Sequence, residues 1–406
     1  MGKTKKALIP LLVAALCLVA LPAAAMASDT VAATAGESTL DGVKVTYSID
    51  DQGEVSLAPA AEAFQELLAK AENGDLIIAL KDITGMTGVK VKIDLKSLLQ
   101  EENLRSFTFS VNDLTLKVPV GALERISVLA DTVNFGLRSG SLIFTVTDEQ
   151  GEPIDYIDND HPIFISQPYS LQAGEDPALV TTVHAYADGP RVVPRSWYDD
   201  GRLYAKVYST GRYDAWYGGG NPGVTGGASA GAAALDYLAA REVINNNGTA
   251  QITADSQVTR GQFIDMLLRA LDIEPQGAWM VRQFSDVDAD AFYYESLLQA
   301  KALGMAAGVG DNRFAPETGI TRQEMYVMLY KGLAAANLLP EVVTMQWIIF
   351  SDWDNLSSYA GNAIQNLAKF GLVPNQGGEL RPRAVATGAE AAAALRDMLV
   401  WESGRA

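Results

Sequence analysis

A segment recurs three times in the C-terminal half, and no other feature limits the fold so tightly. The copies align on a threonine: Val258-Thr-Arg-Gly-Gln262, Ile320-Thr-Arg-Gln-Glu324 and Ala386-Thr-Gly-Ala-Glu390, at offsets of 62 and 66 residues. In each, Gln or Glu stands three residues after the threonine, the signature of a capping box at a helix start. One apolar face follows each box: Phe263, Met266, Leu267 and Leu271; Met325, Met328, Leu329 and Leu333; Ala391, Ala394, Leu395 and Leu399. That spacing predicts an amphipathic helix. An upstream helix recurs through Leu235/Leu238, Leu297/Ala300 and Ile364/Leu367, and a stretch in register (252–259, 314–321, 380–387) joins the two. Each unit is helix, loop, capped helix. None can bury its stripe alone, so the three must share a core.

Ahead of the second and third units stand Phe284-Ser-Asp286 and Phe350-Ser-Asp352. The second unit adds Leu303-Gly304, Gly308, Phe314-Ala-Pro316 and Ile320-Thr-Arg-Gln-Glu324. These residues resemble the S-layer homology (SLH) family over about 233–406. The resemblance implies a pseudo-three-fold helical domain that tethers exported proteins to the cell wall. The implied ligand is a secondary cell-wall polysaccharide, often carrying an anionic pyruvate ketal, or in some members modified peptidoglycan. The repeats then span 233–275, 276–338 and 339–406.

Physical chemistry points to an anion site independently. Arg260 and Arg322 follow the capping threonines, at the first helical position. Helix N-termini present N–H groups and partial positive charge, and a guanidinium fork can grip a carboxylate. Each arginine could instead pair with a neighbouring acid. Asp286 and Asp352 could accept sugar hydroxyls or cap their own following helices. Gly308 joins the candidate polysaccharide site through the family pattern. The repeats are degenerate: Pro222-Gly-Val224 stands where the first Phe-Ser-Asp would align, and Gly388 replaces the third arginine. At most two grooves should bind strongly, and the one using Arg322 is favoured. Trp347, Trp353 and Trp401 are expected to pack at repeat edges rather than to stack on sugars.

The N-terminus reads as an export leader. Lys3, Lys5 and Lys6 precede an apolar stretch at 7–25, and Ala25-Met-Ala27 offers small residues for cleavage before Ser28. A retained anchor or a lipoprotein at Cys17 fits less well, because small residues close the segment and Leu16 precedes the cysteine. The net charge is −18, and removing the three leader lysines makes it −21. Such a surface repels nucleic acid. Cys17 is the only cysteine, so the exported chain has no disulfide, thiol nucleophile or thiolate-held metal. No cofactor, metal or membrane partner is expected after cleavage. Self-association in a surface layer is compatible with the composition.

Residues 28–215 read as a β-rich α+β surface module. Alternation over 41–57 marks a strand region, 59–71 an amphipathic helix begun by Pro59, and 76–80, 89–93, 107–111, 114–118, 142–146 and 204–208 short strands. Tyr169-Ser-Leu-Gln-Ala-Gly-Glu-Asp-Pro177, Val193-Pro-Arg-Ser-Trp-Tyr198 and Ser209-Thr-Gly-Arg-Tyr213 resemble modules that precede wall-anchoring repeats. Residues 216–232 read as a Gly-rich linker. Within it, Gly218, Gly220 and Gly223 match G-x-G-x-x-G without a second parallel strand, and Gly227-Ala-Ser229-Ala-Gly231 matches G-x-S-x-G without a leading strand. Asp286-Val-Asp-Ala-Asp290 lacks the Gly and Glu of a calcium loop, since Ala291 and Leu297 stand there. The fold class is α+β: a β-rich module with a helix, then an all-α pseudo-three-fold repeat domain. The expected function is non-enzymatic wall anchoring at the cell surface. The alternatives are a wall-anchored glycan hydrolase with its catalytic unit in 28–215, or a surface-layer lattice subunit. His161 and His184 have no nucleophile box beside them, and no paired-acid motif is evident.

Overall fold

Alternating side chains drive the N-terminal half into strands, because one face of each can be buried. The computed structural model describes residues 34–404 apart from 41–42, 72, 81–85, 139–141, 155–160, 222–224, 226, 228, 245–251, 274–280, 341–346 and 375–377. The leader, Pro222-Gly-Val224 and the sequon Asn247-Gly-Thr249 lie outside the described residues. A nine-stranded sheet runs in the spatial order β1 (Thr34–Leu40), β2 (Val43–Ile49), β3 (Glu54–Leu57), β5 (Gly88–Asp94), β8 (Thr132–Arg138), β9 (Leu142–Thr147), β15 (Gly211–Tyr217), β11 (Val180–Tyr186) and β12 (Gly189–Val193). A six-stranded sheet runs β13 (Ser196–Asp199), β14 (Arg202–Val207), β10 (Ile163–Pro168), β7 (Leu114–Pro119), β6 (Ser106–Val111) and β4 (Asp75–Leu80). All pairings are antiparallel except β3 with β5 and β4 with β6.

Three short helices carry the chain between the sheets: α1 (Ala61–Leu68), α2 (Leu95–Leu98) and α3 (Val120–Ser127). They bury Phe64, Leu67 and Leu68, then Leu95 and Leu98, then Ala122, Leu123 and Ile126. The two sheets close over one core, in which Phe107 of β6 lies 5.3 Å from Phe135 of β8. The strands expected from alternation are present. Helices α2 and α3 and several strands, among them β1 and β8, are additions: α2 starts on Asp94, whose carboxylate accepts from the Lys96 and Ser97 amides, and β8 buries Val133, Phe135 and Leu137.

Among the described residues, six α-helices form the C-terminal half: α4 (Ala230–Ala240), α5 (Arg260–Ala270), α6 (Tyr294–Ala302), α7 (Arg322–Ala335), α8 (Gly361–Lys369) and α9 (Gly388–Ser403). The first helix of each repeat packs on the second helix of another: α6 on α5, α8 on α7, and α4 on α9. All three predicted apolar stripes are buried in a single core. Among the described residues, no helix is long and apolar enough to cross a membrane.

The glycine-rich connection is packed where it is described. Gly218–Gly220 forms a 3₁₀ turn, and a Cβ on Gly218 would lie 2.7 Å from that of Ala240. Asn221 donates to the carbonyls of Ala239 and Ala240, closing the end of α4. Ser229 is the N-cap of α4 and accepts from the Ala232 amide, so it serves a helix start rather than a nucleophile elbow.

The β module and the repeats meet over a buried charge cluster. Glu402 near the end of α9 accepts from Arg195 Nε at 2.9 Å and from Arg195 Nη2, and from Lys206 Nζ at 2.7 Å. All three side chains are at most 6% exposed. Burial pushes the Glu402 carboxyl up, but the two cations outweigh it and hold it below its usual range. Beside this cluster, Arg241 just after α4 donates to the carbonyls of Ala178, Val180 and Ser196 in the module.

Candidate functional site

The residue before each capping threonine builds a closed backbone ring. Val258 N–H donates to the Ala386 carbonyl at 3.1 Å, Ala386 N–H to Ile320 at 2.8 Å, and Ile320 N–H to Val258 at 2.9 Å. All three residues are fully buried. The capping boxes form as expected at Thr259, Thr321 and Thr387.

The next two amides of each helix are also taken. Arg260 and Gly261 donate to the carbonyls of Thr318 and Pro316, Arg322 and Gln323 to those of Ala384 and Pro382, and Gly388 and Ala389 to those of Ser256 and Ala254. The donors that a helix start offers an anion are thus consumed by the next repeat's turn. Any anion recognition here falls to side chains.

The arginines reach across the same junctions. Arg260 donates from Nε to the Phe314 carbonyl (2.9 Å), from Nη2 to Ala307 (3.3 Å) and from Nη1 to Glu324 (2.7 Å), with its guanidinium 4.5 Å over the Phe314 ring. Arg322 donates from Nε to the Leu380 carbonyl (2.6 Å) and forms an ion pair with Glu390, Nη1 lying 2.7 Å from its carboxylate. Both arginines are buried. Each capping-box acid therefore pairs with the arginine of the preceding repeat. The third junction has neither charge: Gly388 faces repeat 1, whose box carries neutral Gln262.

The missing arginine has a steric cause. A Cβ on Gly388 would lie 2.1 Å from the Thr253 carbonyl oxygen and 2.9 Å from the Ile252 side chain. Gly388→Arg, which restores the motif in sequence, is expected to destabilise the protein by about 1–3 kcal/mol through overpacking. A lowered denaturant midpoint checks this; an unchanged midpoint contradicts it.

Asp286 and Asp352 fasten the turns those arginines read. Asp286 accepts from the Phe314 and Ala315 amides, both at 2.8 Å, and Asp352 from Leu380 and Arg381, both at 2.7 Å. Ala315 and Arg381 have φ of 56° and 52°, a left-handed conformation that costs a non-glycine residue about 1–2 kcal/mol. The carboxylate holds each strained residue in place. Burial raises the Asp286 carboxyl, and the amide hydrogen bonds more than offset this, leaving it below its usual range. Gly308 packs closely: a Cβ there would lie 2.6 Å from the Arg313 carbonyl and 3.1 Å from the Phe284 ring.

The five candidate residues thus fall into two clusters. Arg260, Asp286 and Gly308 gather around the Phe314 turn, and Arg322 and Asp352 converge on Leu380. Glu324 and Glu390, read from the sequence as capping-box acids, also pair with the preceding repeat's arginine, and Arg381, which the sequence does not single out, belongs to the same junction. Their signal is that an acid follows the threonine only where the preceding repeat has arginine. The junctions differ in charge. Arg381, 57% exposed, also binds Glu390 at 2.6 Å, so two guanidiniums share one carboxylate. No partner among the described residues takes Arg322 Nη2, whereas all three Arg260 nitrogens donate. Trp353 lies parallel to Phe350 at 6.4 Å and Trp401 is inclined 26° to Phe370 at 5.6 Å, both packed as expected, whereas Trp347 is 73% exposed and does not pack as expected.

The S-layer homology domain model matches residues 283–325 and 349–392, each running from the Phe-Ser-Asp motif into the capped helix. This chain carries S-layer homology domains. The SLH domain implies anchoring to the cell wall and places the protein at the cell surface. Curated relatives match part of this chain in sequence. An amylopullulanase of Thermoanaerobacterium thermosulfurigenes is 30% identical over 166 residues, 41% of this chain and 9% of that protein. An exoglucanase XynX of Acetivibrio thermocellus is 28% identical over 41% of this chain and 15% of that protein. An endoglucanase of Bacillus sp. (strain KSM-635) is 27% identical over 40% and 17%. The chain thus spans less than a fifth of each of these relatives.

Proposed function

We propose that the three repeats form one pseudo-three-fold anchor that holds the chain non-covalently to the bacterial wall. Its ligand in this reading is an anionic, pyruvylated secondary wall polysaccharide, bound at the junction of repeats 2 and 3. The closed ring of Val258, Ile320 and Ala386 supports the three-fold arrangement, and it includes the first repeat, which lies outside the matched segments. The observation that carries the site is the sharing of Glu390 by Arg322 and Arg381. A ketal carboxylate can take the open Arg322 Nη2 and the exposed edge of Arg381 as a charge-assisted pair. Arg260 is held by two carbonyls and Glu324, so in this reading its junction binds more weakly. Asp286, Asp352 and Gly308 shape the turns beneath the ligand.

The relatives' names describe carbohydrate-cleaving enzymes, but glycoside hydrolysis requires two carboxyl groups across a bond. The larger cavity against the β module is lined by one acid, Asp199. This reading takes the chain as a binding protein and assigns it no chemistry. Calorimetric titration of the full chain with pyruvylated polymer fragments tests the site. Arg322→Ala and the exposed Arg381→Ala should each weaken binding by about tenfold or more, equivalent to about 1.4 kcal/mol. Wild-type affinity in both variants would refute the site. Removal of the ketal should cost the wild type as much as the substitutions do.

A further inference from the structure

The face of the six-stranded sheet turned toward α4 and α9 is not filled by protein. Register sets four side chains in one row across it: Trp197 opposite Tyr204, Tyr204 opposite Ser166, and Ser166 opposite Thr115. The next row places Lys206, Phe164 and Lys117. Glu402 closes over Lys206, so the repeats seal that corner. The first row stays open, its two aromatic residues half-buried, along a cavity of about 980 Å³.

The chemistry of this row is uneven in an informative way. The Trp197 and Tyr204 rings lie parallel, 9° apart in plane and 5.4 Å between centroids. Beyond them come two hydroxyls and Lys117, with Asp199 at the opposite end of the cavity. Arg202 braces Ser166 at 2.7 Å, fixing the hydroxyl in place. Arg241, in the cavity wall, is buried and keeps its Nε without an acceptor. A ligand that fits must be apolar on its ring faces and rich in hydroxyls and carbonyls at its edge. Fatty chains would leave the polar row unpaired, and nucleic acid is repelled by the acidic surface. A pyranose ring meets both requirements, with aromatic rings beneath its faces and few, placed polar groups at its rim.

We propose that this cavity is a second saccharide site, in which Trp197 and Tyr204 stack an N-acylated pyranose oligosaccharide of the wall. The β module then contacts wall glycan itself, next to the anchor. The proposal depends on the anchoring reading only for the source of the sugar.

Titration of the full chain with tetra-N-acetylchitotetraose by calorimetry tests it. Wild type should bind, Trp197→Ala and Tyr204→Ala should each weaken binding by about tenfold, and Trp197→Phe and Tyr204→Phe, which keep a ring, should stay within about threefold. Saturating pyruvylated polymer fragments should leave the binding of this probe unchanged, which separates the site from the polysaccharide junction. Absence of binding by wild type overturns the proposal. So does unchanged binding in both alanine variants, or equal loss in the alanine and phenylalanine variants.

Discussion

Glu402→Ala is expected to cost about 3–5 kcal/mol, because it strands two buried cations. Arg195 and Lys206 are held by this carboxylate in a region where none of the three side chains is more than 6% exposed. Without it their charges stay in a low-dielectric join deprived of the carboxylate they share. The β module and the repeats should then unfold in separate transitions in denaturant, where wild type couples them. A loss under about 1 kcal/mol would mean that apolar packing holds the join. The same join should weaken in acid. Glu402 is held below its usual range, so its stabilisation is present near neutrality and is lost as pH falls through that lowered value. His184, stacked on Tyr213 with Tyr186 tilted against it, is pushed down to about 4 by burial. Its folded pKa lies below the unfolded 6.5, so its contribution is complete above pH 6.5 and declines between 6.5 and about 4. Unfolding free energies at pH 7 and pH 5 should differ in wild type and converge in His184→Phe; the same slope in both would rule His184 out.

Phe314→Ala is the second large effect, again about 3–5 kcal/mol. Its ring is fully buried, 5.3 Å from Phe284 and under the Arg260 guanidinium. Its amide is held by Asp286 and its carbonyl by Arg260. Truncation therefore leaves a cavity and loosens the turn that consumes the first amides of α5. The loss should appear in denaturant melts of the full chain. A drop below about 1 kcal/mol would show that the turn is held by its hydrogen bonds alone.

Local signals in the sequence carried far, and distant ones did not. Capping boxes and apolar stripes lie within one helix, so Thr259, Thr321 and Thr387 announce their helices directly. Strands such as β6 and β7 follow from their own alternation. What is missing from local pattern is who faces whom. The pairs Arg260–Glu324 and Arg322–Glu390 cross between repeats 64 and 68 residues apart, so the arginines read as open anion forks until the ring closes. Arg195 and Glu402 are 207 residues apart, and nothing near either predicts the other. The glycines at 218–220 suggest freedom by composition, yet Gly218 is there because Ala240 leaves no room for a side chain. The strained Ala315 and Arg381 explain why aspartate stands in each Phe-Ser-Asp motif, a reason that only backbone geometry supplies.

The central claim is that the repeats hold this chain to the wall through its secondary polymer. The direct measurement is co-sedimentation of the full chain with purified cell wall, intact and stripped of that polymer. The account predicts that the protein pellets with intact wall, stays in solution with stripped wall, and is released from intact wall by Arg322→Ala. Pelleting with both walls alike would move the ligand to peptidoglycan, and failure to pellet with either would contradict the account.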